Sequence, residues 1–215
     1  NADDFVFWYE ELYLNTEIVP TPIPEMSVNG KQGRLVKLNE TTVEFQFDEP
    51  YYLFEDIMAG DTLLGGGQSV RQARGQTYGS YAPAHYLKQF LPKYSSVDKV
   101  NALAKKEGFE NWVQLIHFKK DWQLNTEVPR VGPWRTVQTI NTTTWVMERN
   151  PYYFAVDTAG NQLPYLDSVT LTLAENPEVL NLRAITGLFD AQARHIDLGK
   201  LPVLLENQEK SGYTV

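Results

Sequence analysis

Two strand-like runs bracket a segment that neither a helix nor a strand can absorb, and that segment limits the fold more than any other. Trp134 to Glu148 alternates as a hairpin candidate, and Ser168 to Leu173 places Val169, Leu171 and Leu173 on one face. Between them, from Arg149 to Asp167, runs RNPYYFAVDTAGNQLPYLD, with four aromatics and two prolines around an Asp-Thr-Ala-Gly-Asn turn. Its apolar residues follow neither the helical nor the strand period. Asn150-Pro151 leaves one strand, Asp157 to Asn161 makes a tight turn of the kind Gly and Asn favour, and Pro164 leads into the next strand. The expectation is a rigid connector from Asn150 to Pro164, pinned by aromatic burial, with Tyr152 and Tyr153 substantially buried.

Upstream, helical spacing dominates. Asn1 can cap a helix with Asp3 and Asp4 in its first turn, and Phe5, Trp8, Tyr9 and Leu12 fall on one face. Arg34 to Phe47 reads as two strands around Asn39-Glu40, and Pro50 to Ile57 as a further helix or turn. Gly60 to Ser80 holds six glycines and few large aliphatics, so it reads as a long loop, a feature that compact domains keep mostly for function. Pro83 opens a helix, Ser95 to Asp98 caps another that Gly108 ends, and Trp112, Leu115 and Ile116 mark a third. Downstream, Asn176-Pro177-Glu178 starts a helix ending near Gly187. Leu188-Phe189-Asp190 reads as a short strand and Leu201 to Gln208 as a last helix. Strands alternating with helices predict an α/β chain with a mixed β-sheet. The change of character after Pro129 predicts two portions, 1–130 and 131–215.

At 215 residues the chain can bury a core of its own. A net charge of −8 argues against nucleic acid, because phosphate binding needs clustered Lys and Arg. The absence of cysteine excludes disulfides and thiolate chemistry. His85, His117 and His195 lie apart, at no metal-ligand spacing, and the Asp157–Asn161 turn lacks the terminal Glu of a calcium loop, so no metal or cofactor is expected. Ser69 and Ser80 sit in no nucleophile elbow, and Gly65-Gly66-Gly67 lacks the Lys of a phosphate loop. Enzyme chemistry is therefore not expected; the weighed alternative is a glycoside hydrolase, which needs two carboxylates facing each other across a cleft. Twelve tyrosines and five tryptophans instead suit surfaces that stack on a ligand.

The connector also carries a family resemblance. RNPYYFAVDTAGNQLPYLD resembles the segment RNPYYW-x-VD-x-xGNQLPYID of extracellular solute-binding proteins of family 5, the receptors of ABC importers for peptides, nickel and, in some branches, oligosaccharides. Thr42 to Phe47 followed by Glu49-Pro50 is similar to the family's T-V-x-F-x-L-x-x-P strand. Ala82-Pro83-Ala84-His85-Tyr86-Leu87 resembles its (A/L)-P-K-H-x-L helix start, with Ala84 in place of Lys. Val131-Gly132-Pro133-Trp134 stands where most members have G-T-G-P-F/Y, and Gly187 to Asp190 is similar to G-E-I-D with its acidic residue lost. The resemblance implies a periplasmic-binding-protein type II-like lobe, part of a two-lobed and monomeric parent at the periplasmic or cell surface, lipid-anchored through a part absent from this chain. It implies a small-molecule solute, peptide first and oligosaccharide second, and an ABC permease as partner. The ligand-binding candidates are Gln76, Tyr78, Ser80 and Tyr81, before Pro83, and Trp134 near the returning strand.

Overall fold

The structure, a computed structural model, describes the whole chain except residues 61, 66, 69 and 72–76, with the backbone alone described at 70, 71, 77 and 78. It divides between Thr170 and Leu171 into two compact units, well past the change of sequence character after Pro129.

The first unit is built on its opening helix. In α1 (Ala2–Phe7) the Asn1 side chain accepts from the Asp3 amide at 3.0 Å while the Asp4 carboxylate reaches back to Asn1, closing a capping box. The helix then widens into a π-helical turn, Trp8–Tyr13. That widening brings residues four and five apart onto one face, so Trp8 and Tyr13 stack with ring centres 5.3 Å apart and Tyr9 and Tyr13 at 5.8 Å. Trp8 and Leu12 are fully buried among Met26, Leu64, Leu87, Leu91, Leu115 and Ile116. Glu11, drawn inward by the same turn, is met by Lys93 and by the Tyr94 hydroxyl.

Short antiparallel ribbons follow: β1 (Ser27–Val28) with β2 (Lys31–Gln32), and β3 (Arg34–Asn39) with β4 (Thr42–Gln46). Then come α2 (Phe54–Ala59) and the pair β5 (Val70–Arg71) and β6 (Thr77–Tyr78). Next are α3 (Ala84–Leu87), α4 (Val97–Lys106), capped by Ser96 and ended by Gly108 at φ 87°, and α5 (Trp112–Lys119), capped by Asn111. A three-stranded sheet closes the unit in the order β7 (Trp134–Gln138), β8 (Thr144–Arg149), β9 (Ser168–Thr172). The strands thus gather in small sheets and ribbons among the helices.

The second unit holds α6 (Pro177–Ile185), capped by Asn176, and α7 (Leu201–Ser211). Its hub is Asn181, 1% exposed, whose amide donates to the Pro177 and His195 carbonyls and whose oxygen accepts from the Asp197 amide. Leu188-Phe189-Asp190 is not a strand: among the described residues no strand lies beside it to complete a ladder.

The connector between β8 and β9 overturns the expected aromatic burial. Tyr152 is 89% and Phe154 75% exposed; Tyr153 is half-buried, and Tyr165 is exposed. Polar side chains hold the segment instead. The Asn150 amide donates to the Arg130 and Gly132 carbonyls at 3.1 and 2.9 Å, and its oxygen accepts from the Tyr152 amide. Gln162 donates to the Pro151 and Tyr153 carbonyls, both at 2.8 Å. Asp157 accepts from the Ala159 and Asn161 amides, the Asn161 side chain and the Tyr165 hydroxyl.

Two outcomes follow from this polar scaffold. Asn150→Asp turns a donor shared by two carbonyls into a buried anion, and we expect it to destabilise the fold by about 2–4 kcal/mol in chemical denaturation, more than Asn150→Ala. Asp157 is held down to about 2 from 3.8, first by the Asn161 and Tyr165 side chains and then by the Asn161 amide. A carboxylate whose folded pKa is depressed stabilises fully above its ordinary value and loses that contribution as pH falls through the folded one. Amide exchange at Ala159 and Asn161 should therefore accelerate, beyond the intrinsic pH effect, as pH falls from about 4 to about 2; Asp157→Asn should abolish that step.

Candidate functional site

The segment after β6 is fastened to α1 by Asp4. The Asp4 carbonyl accepts from the Ala82 amide at 3.1 Å, and one carboxylate oxygen accepts from the Ala84 amide at 3.0 Å. The second oxygen accepts from the Asn1 nitrogen at 3.0 Å. Tyr81 lies against Phe5, ring centres 5.4 Å apart, and pairs its backbone with Gln68. Gln68 is buried and donates to the Pro129 carbonyl at 2.9 Å, so the glycine-rich stretch, α1 and the chain before β7 meet at one point.

There they enclose a cavity of about 110 Å³ lined by Asp4, Gln68, Tyr81, Pro83, His85 and residues 129–131. Arg130 is its dominant charge. The guanidinium carbon stands 3.5 Å from the Trp122 ring centre, and Trp122 in turn leans on Trp145, whose indole N–H donates to the Thr136 hydroxyl. Arg130 Nε and Nη1 are shut off from solvent and have no hydrogen-bond partner among the described residues. Burial lowers the guanidinium to about 10, partly offset by Tyr81, and it stays a cation at neutral pH. Burial likewise raises the Tyr81 phenol, opposed by the Arg130 charge, so its hydroxyl remains a donor.

The sequence candidates distribute unevenly around this cavity. Tyr81 lines it, and Ser80 is buried next to it with its amide bonded to the Gly67 carbonyl. Tyr78 lies on β6, where the backbone alone is described, and Gln76 lies outside the described residues. Trp134 is elsewhere, half-buried on β7 opposite Arg149. Arg130, Trp122 and Asp4 were missed. The available signal was small: an arginine just before Val131-Gly132, where the resembling motif keeps its first glycine. Among the described residues no group of three His, Asp or Glu could hold a metal ion, and no helix is long and apolar enough to cross a membrane.

A larger cavity, about 550 Å³, lies within the second unit, lined by residues including Phe189, Asp190, Ile196, Leu204 and Tyr213. Among the described residues it presents no unpartnered buried charge.

The family model of the bacterial extracellular solute-binding proteins, family 5 Middle, matches residues 1–214, and the chain belongs to that family. It is similar to the oligopeptide-binding protein OppA, with 34% identity and a TM-score of 0.80 over 99% of this chain and 31% of that one. The periplasmic alpha-galactoside-binding protein of Rhizobium meliloti (strain 1021) is 29% identical over 177 residues, covering 81% of this chain and 21% of that protein. The periplasmic binding protein MelB of Agrobacterium fabrum C58, solved in complex with stachyose, matches at 25% identity and a TM-score of 0.57, covering 87% of this chain and 24% of that one. The likeness establishes a periplasmic-binding-protein fold, and the chain spans less than a third of the length of each of these proteins.

Because Gln68 links the glycine-rich stretch to the Pro129 carbonyl, its removal tests whether the cavity wall is braced from that side. Gln68→Ala should cost about 1–3 kcal/mol in chemical denaturation, the cost of leaving a part-buried carbonyl unmet.

Proposed function

We propose that this chain is the first-lobe part of the substrate-binding component of an ABC importer, and that the intact receptor captures oligopeptides and delivers them to a membrane permease. The observation that carries the peptide assignment is the match to OppA, which covers 99% of the chain at a TM-score of 0.80. In this reading the lobe offers one wall of a cleft. Solute contacts on both walls favour the closed form, so capture is a hinge equilibrium biased by the ligand and needs no bond chemistry. The cavity between α1, Gln68 and Arg130 is the part of this wall with polar groups turned towards a solute, with Tyr81 in its lining and Ser80 next to it; Gln76 and Tyr78 remain candidates from the sequence alone. The receptor works as a monomer outside the cytoplasmic membrane, held there by a lipid anchor.

A second reading has its own support. The alpha-galactoside-binding relative and the stachyose complex of MelB both concern oligosaccharides, and the aromatic content suits sugar faces. Calorimetry on the intact receptor separates the two. Mixed tri- to pentapeptides should bind at micromolar or better dissociation constants and stachyose should not; tight stachyose binding with no heat from peptides would overturn the peptide assignment and leave the receptor class in place. This chain alone should bind neither solute much below about 1 mM, because the opposite wall supplies half of the contacts.

A further inference from the structure

Arg130 has everything a fixed cation needs except an acceptor. Its backbone carbonyl is held by Asn150, and the preceding Pro129 carbonyl by Gln68. Its guanidinium carbon stands over the Trp122 ring. A guanidinium offers five N–H donors along two edges that suit a carboxylate, and each edge includes one of the two nitrogens that lack a partner, Nε on one and Nη1 on the other. No acidic side chain forms an ion pair with it among the described residues. Asp4, the carboxylate lining the same cavity, is occupied at both oxygens by Ala84 and Asn1.

A half-buried cation with two shielded, unmet donors is costly, and the cost falls when an anion pairs with it. The cavity beside it, about 110 Å³, has room for a carboxylate group and a few waters. Tyr81 contributes a phenolic donor from the same wall. Sugar hydroxyls could also accept from Arg130, but a neutral acceptor gains roughly half of what a charged one does.

We propose that the cavity beside Arg130 is a carboxylate subsite, in which the guanidinium slides over Trp122 to uncover a donor edge and pairs with a carboxylate of the captured solute while the Tyr81 hydroxyl donates to the same group. The identity of the solute rests on the receptor reading above; the existence of the subsite does not.

The test reads the Arg130 Nε–H resonance of the intact receptor by NMR, assigned as the signal lost in Arg130→Met, during titration with sodium acetate against sodium chloride at equal ionic strength. A saturable shift with acetate and none with chloride is expected. Arg130→Lys, which keeps the charge and loses the fork, should weaken acetate binding at least tenfold, read on neighbouring amides. Gly132→Ala should do the same, because its methyl group would collide with Arg130 Nη2. Thermal melts confirm that each variant is folded. An unmoved resonance, or an equal shift with chloride, overturns the subsite whatever peptides do. In a second arm, a peptide with a free C-terminus should bind at least tenfold tighter than its amide, and Arg130→Met should erase the difference. Equal affinities in the unmodified receptor would overturn the assignment of the carboxylate to the solute's terminus. A saturable acetate shift with no peptide binding at all would sink the peptide reading and leave the subsite standing.

Discussion

The side-chain amide of Asn150 holds together parts of the chain that lie far apart in sequence. Its nitrogen spans the carbonyls of Arg130 and Gly132, its oxygen takes the Tyr152 amide, and its own backbone N–H donates to the Pro133 carbonyl at 2.8 Å. One buried side chain thus sets the entry of β7, the exit of β8 and the start of the connector. The backbone of Arg130, whose guanidinium meets Trp122, is held by this amide on one side and by the Gln68 bond to Pro129 on the other. The polar connector and the unpaired guanidinium thus share Asn150 as one of their supports.

The same economy explains why the connector exposes its aromatics. A loop between strands must satisfy its backbone groups somewhere. Here Asn150, Asp157 and Gln162 do so from within, over short sequence separations. Tyr152 and Phe154 are then not needed to hold the segment, and their exposure leaves its conformation intact.

What could be read from sequence divides along physical range. Helix starts at Asn1, Ser96, Asn111 and Asn176 depend on a side chain reaching an amide two or three residues on, so the local pattern suffices. The turn at Asp157–Asn161 is equally local. The fate of the Tyr-Tyr-Phe cluster was not legible, because burial depends on what stands opposite. Leu188-Phe189-Asp190 has strand composition, but a strand is a relation between two segments and composition describes one. The π-helical turn was likewise invisible, since Trp8 and Leu12 fit an α-helical face as well. For the site, the stretch before Pro83 put forward Tyr81, which lines the cavity beside Arg130, and Ser80 next to it. Arg130 escaped because its interest lies in lacking an acceptor, which only a three-dimensional arrangement displays.

That lack also weighs on the two solute classes. Stacking on Trp122 solvates one face of the guanidinium but meets none of its N–H donors, and the aromatic quadrupole is a weak substitute for a carboxylate. A receptor for neutral sugars would gain by pairing such a cation internally, as Lys119 is paired with Glu107 at 2.8 Å in the same unit. Leaving Arg130 unpaired raises the free energy of the empty site, and an anionic ligand group recovers that cost on binding. On the carboxylate-subsite proposal, the unpaired Arg130 favours a solute that carries carboxylate over an uncharged one, while the similar proteins concern both oligopeptides and oligosaccharides.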